Sequence, residues 1–163
     1  MAVDQQETMV EVLSTSYLVA GEGTPLLLLH ALEESAFDWR WVMPELSRNY
    51  LVYAPDLPGF GDSAKPTAAD YSSTVFERFT AAFLDALGIE HVAVVGNSLG
   101  GLIALRLALS TPDRVRPLGL VAALGSGGRS PRLCCRLPYR VMASWRYPGA
   151  KPHLELPREL GDG

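Results

Sequence analysis

Gly96-Asn97-Ser98-Leu99-Gly100-Gly101 fits the pattern G-x-S-x-G, a nucleophile elbow. A serine hydroxyl attacks carbonyl carbon once a base takes its proton, forming a covalent intermediate. The pattern supplies the placement. A sharp turn from strand to helix exposes the hydroxyl above a sheet, and glycines on both sides remove side chains that would collide across so tight a turn. The helix that starts there aims backbone N–H groups at the same point and favours a developing oxyanion. The plain alternative is a glycine-rich turn with a solvated serine. Context favours the first reading, because the apolar run His91-Val92-Ala93-Val94-Val95 precedes the turn and a helical stretch follows it.

The elements around this turn alternate. Residues 1–8 are polar and are expected to fray. Met9, Val10 and Val12 open a strand-like run, and Tyr17 to Ala20 make a second, with residues 13–15 near the turn between them. Leu26-Leu27-Leu28-Leu29 is a continuous apolar run, as a buried parallel strand requires. Leu51 to Ala54, His91 to Val95 and Leu118 to Val121 are further strands. Trp39, Val42, Met43 and Leu46 recur at helical spacing. Thr74 with Glu77 reads as a capping box, followed by the apolar face Phe76, Phe79, Phe83, Leu87 and a terminating Gly88. The next helix runs from Leu99 to Ser110 and ends at Thr111-Pro112. Alternating strands and helices predict an α/β fold, a mostly parallel sheet with helices on both faces.

Composition bounds the function classes. The 163 residues make about one domain. With 48% hydrophobic and 20% charged residues, the chain is globular rather than disordered. No apolar run reaches membrane-span length, and the start has no basic cluster or apolar signal core, so a cytoplasmic protein is expected. A net charge of −4 argues against nucleic acid and anionic membrane as partners and leaves a small-molecule substrate. Cys134 and Cys135 are adjacent and make neither a disulfide framework nor a zinc site. The average hides a break. Residues 1–120 carry 7 basic and 15 acidic side chains, a net of −8, whereas 121–163 carry 7 and 3, a net of +4. The expected organisation is a folded part over 1–124 and an irregular basic tail over 125–163.

Three blocks, in order and spacing, resemble the α/β-hydrolase family: Leu26 to Ala31, Ala54-Pro55-Asp56-Leu57-Pro58-Gly59-Phe60-Gly61-Asp62-Ser63, and the turn at Ser98. The likeness runs from about Leu26 to Val121. It implies the α/β-hydrolase fold and hydrolysis of esters or related carbonyl compounds, with no metal or organic cofactor. By the resemblance Ser98 is the nucleophile, and the N–H groups of Leu99 and Leu32 form the oxyanion hole. His30 resembles the loop-organising histidine of the family. The family usually has glycine after that histidine, and this chain has Ala31. Either the loop is displaced or the position takes an ordinary φ. Asp56 and Asp62 are expected to bind backbone N–H groups in a turn bracing the site. Asn97 beside Ser98 is similar to the carbon–carbon bond hydrolases of aromatic-ring breakdown, an alternative to esterases. Relatives with an aspartate nucleophile, many epoxide hydrolases among them, are disfavoured by Ser98. Trp39, Trp41 and Phe60 are candidates for a pocket wall, with core packing as the better expectation.

The family order of catalytic groups is Ser, Asp or Glu, then His. After Ser98 the acidic residues are Asp113, Glu155, Glu159 and Asp162, and the histidine is His153. Asp113 sits at a helix end, Glu155 and Asp162 follow His153, and Ala122-Ala123 stands where some relatives carry the acid. His91 lies roughly 16–20 Å away along its strand. Acid and base therefore stay unassigned. The expectation is an interrupted hydrolase fold, incomplete at the C-terminus and poorly active, as a shifted reading frame or truncation would leave. A short relative with a reorganised tail and a non-catalytic binding module are the alternatives. The strand Leu118 to Val121 has no clear successor, so its open edge is expected to recruit second copies.

Overall fold

The computed structural model describes residues 2–121 and the backbone of 142–143. His153 and most of the basic tail lie outside the described residues. Seven strands form one sheet, in the order β1-β2-β4-β3-β5-β6-β7. β1 (Asp4–Val10), β2 (Leu13–Ala20) and β4 (Tyr50–Pro55) are joined by antiparallel pairing. β3 (Thr24–Leu29), β4, β5 (Val92–Asn97), β6 (Val115–Val121) and β7 (Met142–Ala143) pair in parallel.

The apolar runs fill both faces. Leu27 and Leu29 point into one core with Val92, Val94 and Leu118, covered by α2 (Ser73–Ala86) and α3 (Leu99–Ser110). Leu26 and Leu28 point the other way, with Val52, Ala54, Ala93 and Val95. That face is covered by a 3-10 helix, Ala36–Trp41, and by α1 (Met43–Leu46). Period-two alternation within a run that is apolar throughout is how a strand serves two cores.

Several expectations change. Residues 4–8 do not fray: they are paired strand, with Asp4 opposite Val19 and Gln6 opposite Tyr17. Ladder bonds need no apolar side chains, and Tyr17 Oη donates to Gln6 Oε1 at 2.7 Å. The hairpin turn is Glu11-Val12 rather than 13–15, with Glu11 at φ +53. The helix at 39–46 is two short pieces. A capping box on Ser35 and Asp38 opens the first, and Pro44 stands at the start of the second. The cap of α2 is Ser72, which accepts from Val75 N, not Thr74. Thr74 and Glu77 instead both accept from Arg106 of α3, at 3.0 and 2.8 Å. The strand at 118–121 starts earlier, at Val115, and has a successor after all. β7 pairs with it at Gly119 and Leu120.

Candidate active site

The turn at Ser98 is built by what its glycines lack. A Cβ on Gly96 would land on the backbone of Gly100 and Gly101, and a Cβ on Gly100 would land on the carbonyls of Leu29 and His30. Strand, turn and helix can therefore close only with glycine at both places. Ser98 stands between the last residue of β5 and the first of α3, at φ +50 and ψ −108. A non-glycine residue there holds backbone strain of about 1–3 kcal/mol. Two bonds hold it: Ser98 N donates to Val121 O at 2.9 Å, and Leu102 N donates to Ser98 O at 3.1 Å.

The end of β3 is tied to the same point. Gly100 N donates to His30 O at 3.1 Å. His30 is 1% exposed. Its Nδ1 lies 2.7 Å from Ala31 O, and Leu57 N donates to its Nε2 at 3.0 Å. A ring that accepts at Nε2 must carry its proton on Nδ1, so this is the neutral tautomer. Burial pushes the imidazole below its ordinary pKa, against the Ala31 carbonyl and the carboxylates of Asp56, Glu34 and Asp38. Both nitrogens are occupied, and no ring atom is left to take a proton from Ser98.

Ala31 settles the question raised by the missing glycine: it is not among the residues with positive φ, whereas Glu33, two positions on, is at φ +62. In this loop the left-handed residue of the tight turn is Glu33. Glu34 closes it, accepting from Ala31 N through Oε2 at 3.2 Å and donating its own N–H to Ala31 O at 3.3 Å. Leu32 lies inside this turn, 55% exposed. Leu99 is the first residue of α3 and buried, so its N–H belongs to the orphan donors of a helix start.

Asp56 does bind backbone, accepting from Ala36 N at 2.7 Å and Asp62 N at 2.8 Å. Asp62 departs from expectation, since its side chain accepts from Gln5 Nε2 instead. Neither Glu34 nor the Asp56–Ala36 pairing carries a sequence signal, because an acidic residue in a loop is common and its partner can be anywhere. Of the aromatics, Trp39 packs against the second core and Phe60 meets His30 edge-on at 5.5 Å. Trp41 corrects the expectation of core packing: it is 78% exposed, and Arg40 lies over its ring and that of Phe37. Asp113 ion-pairs with Arg116, and His91 Nδ1 lies 3.1 Å from Asp113 O. Neither His30 nor His91, the histidines among the described residues, is arranged as a base for Ser98. No helix among the described residues is long and apolar enough to cross a membrane.

A family model described as alpha/beta hydrolase fold matches residues 24–133. The 2-hydroxymuconate semialdehyde hydrolase of Pseudomonas sp. (strain CF600) is 44% identical over 109 residues, covering 65% of this chain and 38% of that protein. A soluble epoxide hydrolase of Corynebacterium sp. (strain C12) is 36% identical over 121 residues, covering 71% of this chain and 40% of its own length. A crystal structure of a meta-cleavage product hydrolase from Pseudomonas fluorescens IP01 superposes with a TM-score of 0.70 at 34% identity. That match covers 72% of this chain and 44% of the other. The chain thus spans about two fifths of the curated relatives it matches.

Proposed function

The chain belongs to the α/β-hydrolase fold family, and on that premise we propose that it carries the nucleophile side of a serine hydrolase acting at an activated carbonyl. The observation that supports this is the backbone of Ser98, held at φ +50 between β5 and α3. Ser98 Oγ attacks the carbonyl carbon, and the N–H groups of Leu99 and Leu32 receive the negative charge that develops on its oxygen. His30 organises the loop that presents Leu32.

The substrate class favoured is the 2-hydroxymuconate semialdehyde type. Two observations support it: the similarity to the Pseudomonas hydrolase of that compound and Asn97 beside the serine. There the bond broken is carbon–carbon, next to the carbonyl. Water's hydroxyl ends on the acyl fragment as a carboxylic acid, and its proton ends on the dienol fragment. Ester hydrolysis through the same acyl-serine is the second reading, since it needs the same nucleophile and oxyanion donors. The epoxide-opening reading suggested by the Corynebacterium relative is opposed by serine at position 98.

Neither His30 nor His91 is placed to act as base for Ser98, and His153 lies outside the described residues; the reading proposed is a poorly active chain. In a serine protease of another fold, losing the histidine alone costs about 10⁶ in turnover. The test is labelling with a fluorophosphonate, followed by intact mass, together with loss of the semialdehyde's absorbance. Slow labelling that vanishes in Ser98→Ala is the expected result. Equal labelling of both chains removes the nucleophile assignment. Labelling at the rate of an active esterase shows that a base is present.

A further inference from the structure

We propose that Asp56 is a positioning residue for the oxyanion donor Leu32, acting through the N–H of Ala36; the inference rests on the oxyanion-hole reading above. Leu32 sits in a short loop between β3 and the 3-10 helix, more than half exposed, so no packing fixes it. Glu34 closes the turn locally on Ala31, and the direction of that turn as a whole is set by the two ends of the loop. The first end is pinned by Gly100 N to His30 O and by Leu57 N to His30 Nε2. The second end is pinned by Ala36 N to Asp56 Oδ1, at 2.7 Å. One bond from each end therefore converges on two consecutive residues, Asp56 and Leu57.

The carboxylate is itself held rigidly. Asp56 is 5% exposed. Its Oδ2 accepts from Asp62 N at 2.8 Å, and Gly61 leaves the room a Cβ would fill. Its backbone N–H donates to Ser16 O at 2.9 Å, and its carbonyl accepts from Ser63 Oγ at 2.7 Å. Ser63 Oγ in turn accepts from Ser16 N at 2.9 Å. The second strand thus sets the carboxylate, and the carboxylate sets the loop. The chemistry requires an acid. Two N–H groups converge on two oxygens, and an amide would turn one NH₂ group against one of those donors.

The test is nuclear magnetic resonance of the leucine-labelled chain before and after phosphonylation of Ser98, with the labelling rate measured alongside. In the wild-type adduct the Leu32 and Leu99 N–H signals are expected to move downfield as both donate to the phosphonyl oxygen. Asp56→Asn is expected to keep the Leu99 shift, lose the Leu32 shift and slow labelling by about tenfold to a hundredfold, short of the loss of a whole oxyanion donor. A general loss of structure would move both signals. Should Asp56→Asn fail to fold, Ala36→Pro removes the same hydrogen bond from the donor side. Proline suits the first position of a helix, and Ser35, at φ −151 and ψ 174, already has the extended backbone proline demands of its predecessor. A Leu32 shift and rate equal to wild type in the folded variant overturn the positioning role. A wild-type adduct that shifts Leu99 but not Leu32 overturns the oxyanion assignment of Leu32, and this inference with it.

Discussion

A methyl group at Gly96 would land on the backbone of Gly100, so Gly96→Ala must push strand and helix apart. Overpacking of this kind costs about 1–3 kcal/mol. The expected outcome is a lower urea midpoint together with lost fluorophosphonate labelling; an unchanged midpoint would show that the turn has slack. The elbow was legible because van der Waals contact dictates glycine at fixed spacing, which a sequence displays directly. His30 was legible only by resemblance, since its two partners, Ala31 O and Leu57 N, are backbone atoms that any residue would supply. Its burial makes a pH prediction. Below the ordinary value of 6.5 the unfolded chain takes up a proton that the folded ring, with its lowered pKa, still refuses. Stability from this group is therefore full above about pH 6.5 and is lost as pH falls through the lowered value. Urea midpoints compared at pH 7.5 and pH 5.5 are expected to drop more in wild type than in His30→Asn. An equal drop would place the acid sensitivity elsewhere.

At the scale of elements, α2 shows why a local motif misleads. Thr74 and Glu77 have capping-box spacing, yet the cap lies two residues earlier, at Ser72, and the helix begins at Ser73. Ser72 is the better cap because Asp70 holds it, accepting from Ser72 N at 2.8 Å and from Ser72 Oγ at 3.0 Å. Thr74 and Glu77 are then free to reach Arg106 and lock α2 to α3. Two valid caps so close together were not ranked from sequence, because Asp70 favours one while Arg106, on another helix, draws away the side chains of the other. Ser72→Ala is expected to lower stability by about 1 kcal/mol, the usual worth of an N-cap. Thr74→Ala loses one exposed hydrogen bond and is expected to cost less. Chemical denaturation of the two variants decides between the caps, and the reverse order would restore Thr74. The strand at 118–121 was read short because Pro117 has no N–H to donate; it is tolerated because β6 pairs irregularly with β5 between Val115 and Leu118, and its pairing with β7 begins only at Gly119.

Across the whole molecule, the parallel order of the central strands and the two cores followed from alternation of strands and helices, because each apolar face must be covered. The edges did not follow, because pairing leaves no mark on a polar strand such as β1. The two edges differ physically. β1 carries Asp4 and Glu7, with Glu11 just beyond it, so pairing with a second copy would bring carboxylates together. At the opposite side, β7 is bonded to β6 only at Gly119 and Leu120. Arg116 and Pro117 blunt the first half of β6, and Gly119 and Leu120 in its second half pair with β7. The carboxylates along β1 are therefore expected to direct any self-association to this side of the sheet, where β7 rather than an open β6 is the edge among the described residues. Size-exclusion chromatography with light scattering is expected to show mass rising with concentration. Hydrogen exchange over the same concentrations locates the contact: amides of 115–121 should gain protection while those of 4–10 do not. A monomer at every concentration would show that the cover on β6 suffices, and protection growing at 4–10 would mean that the charged edge pairs despite its carboxylates.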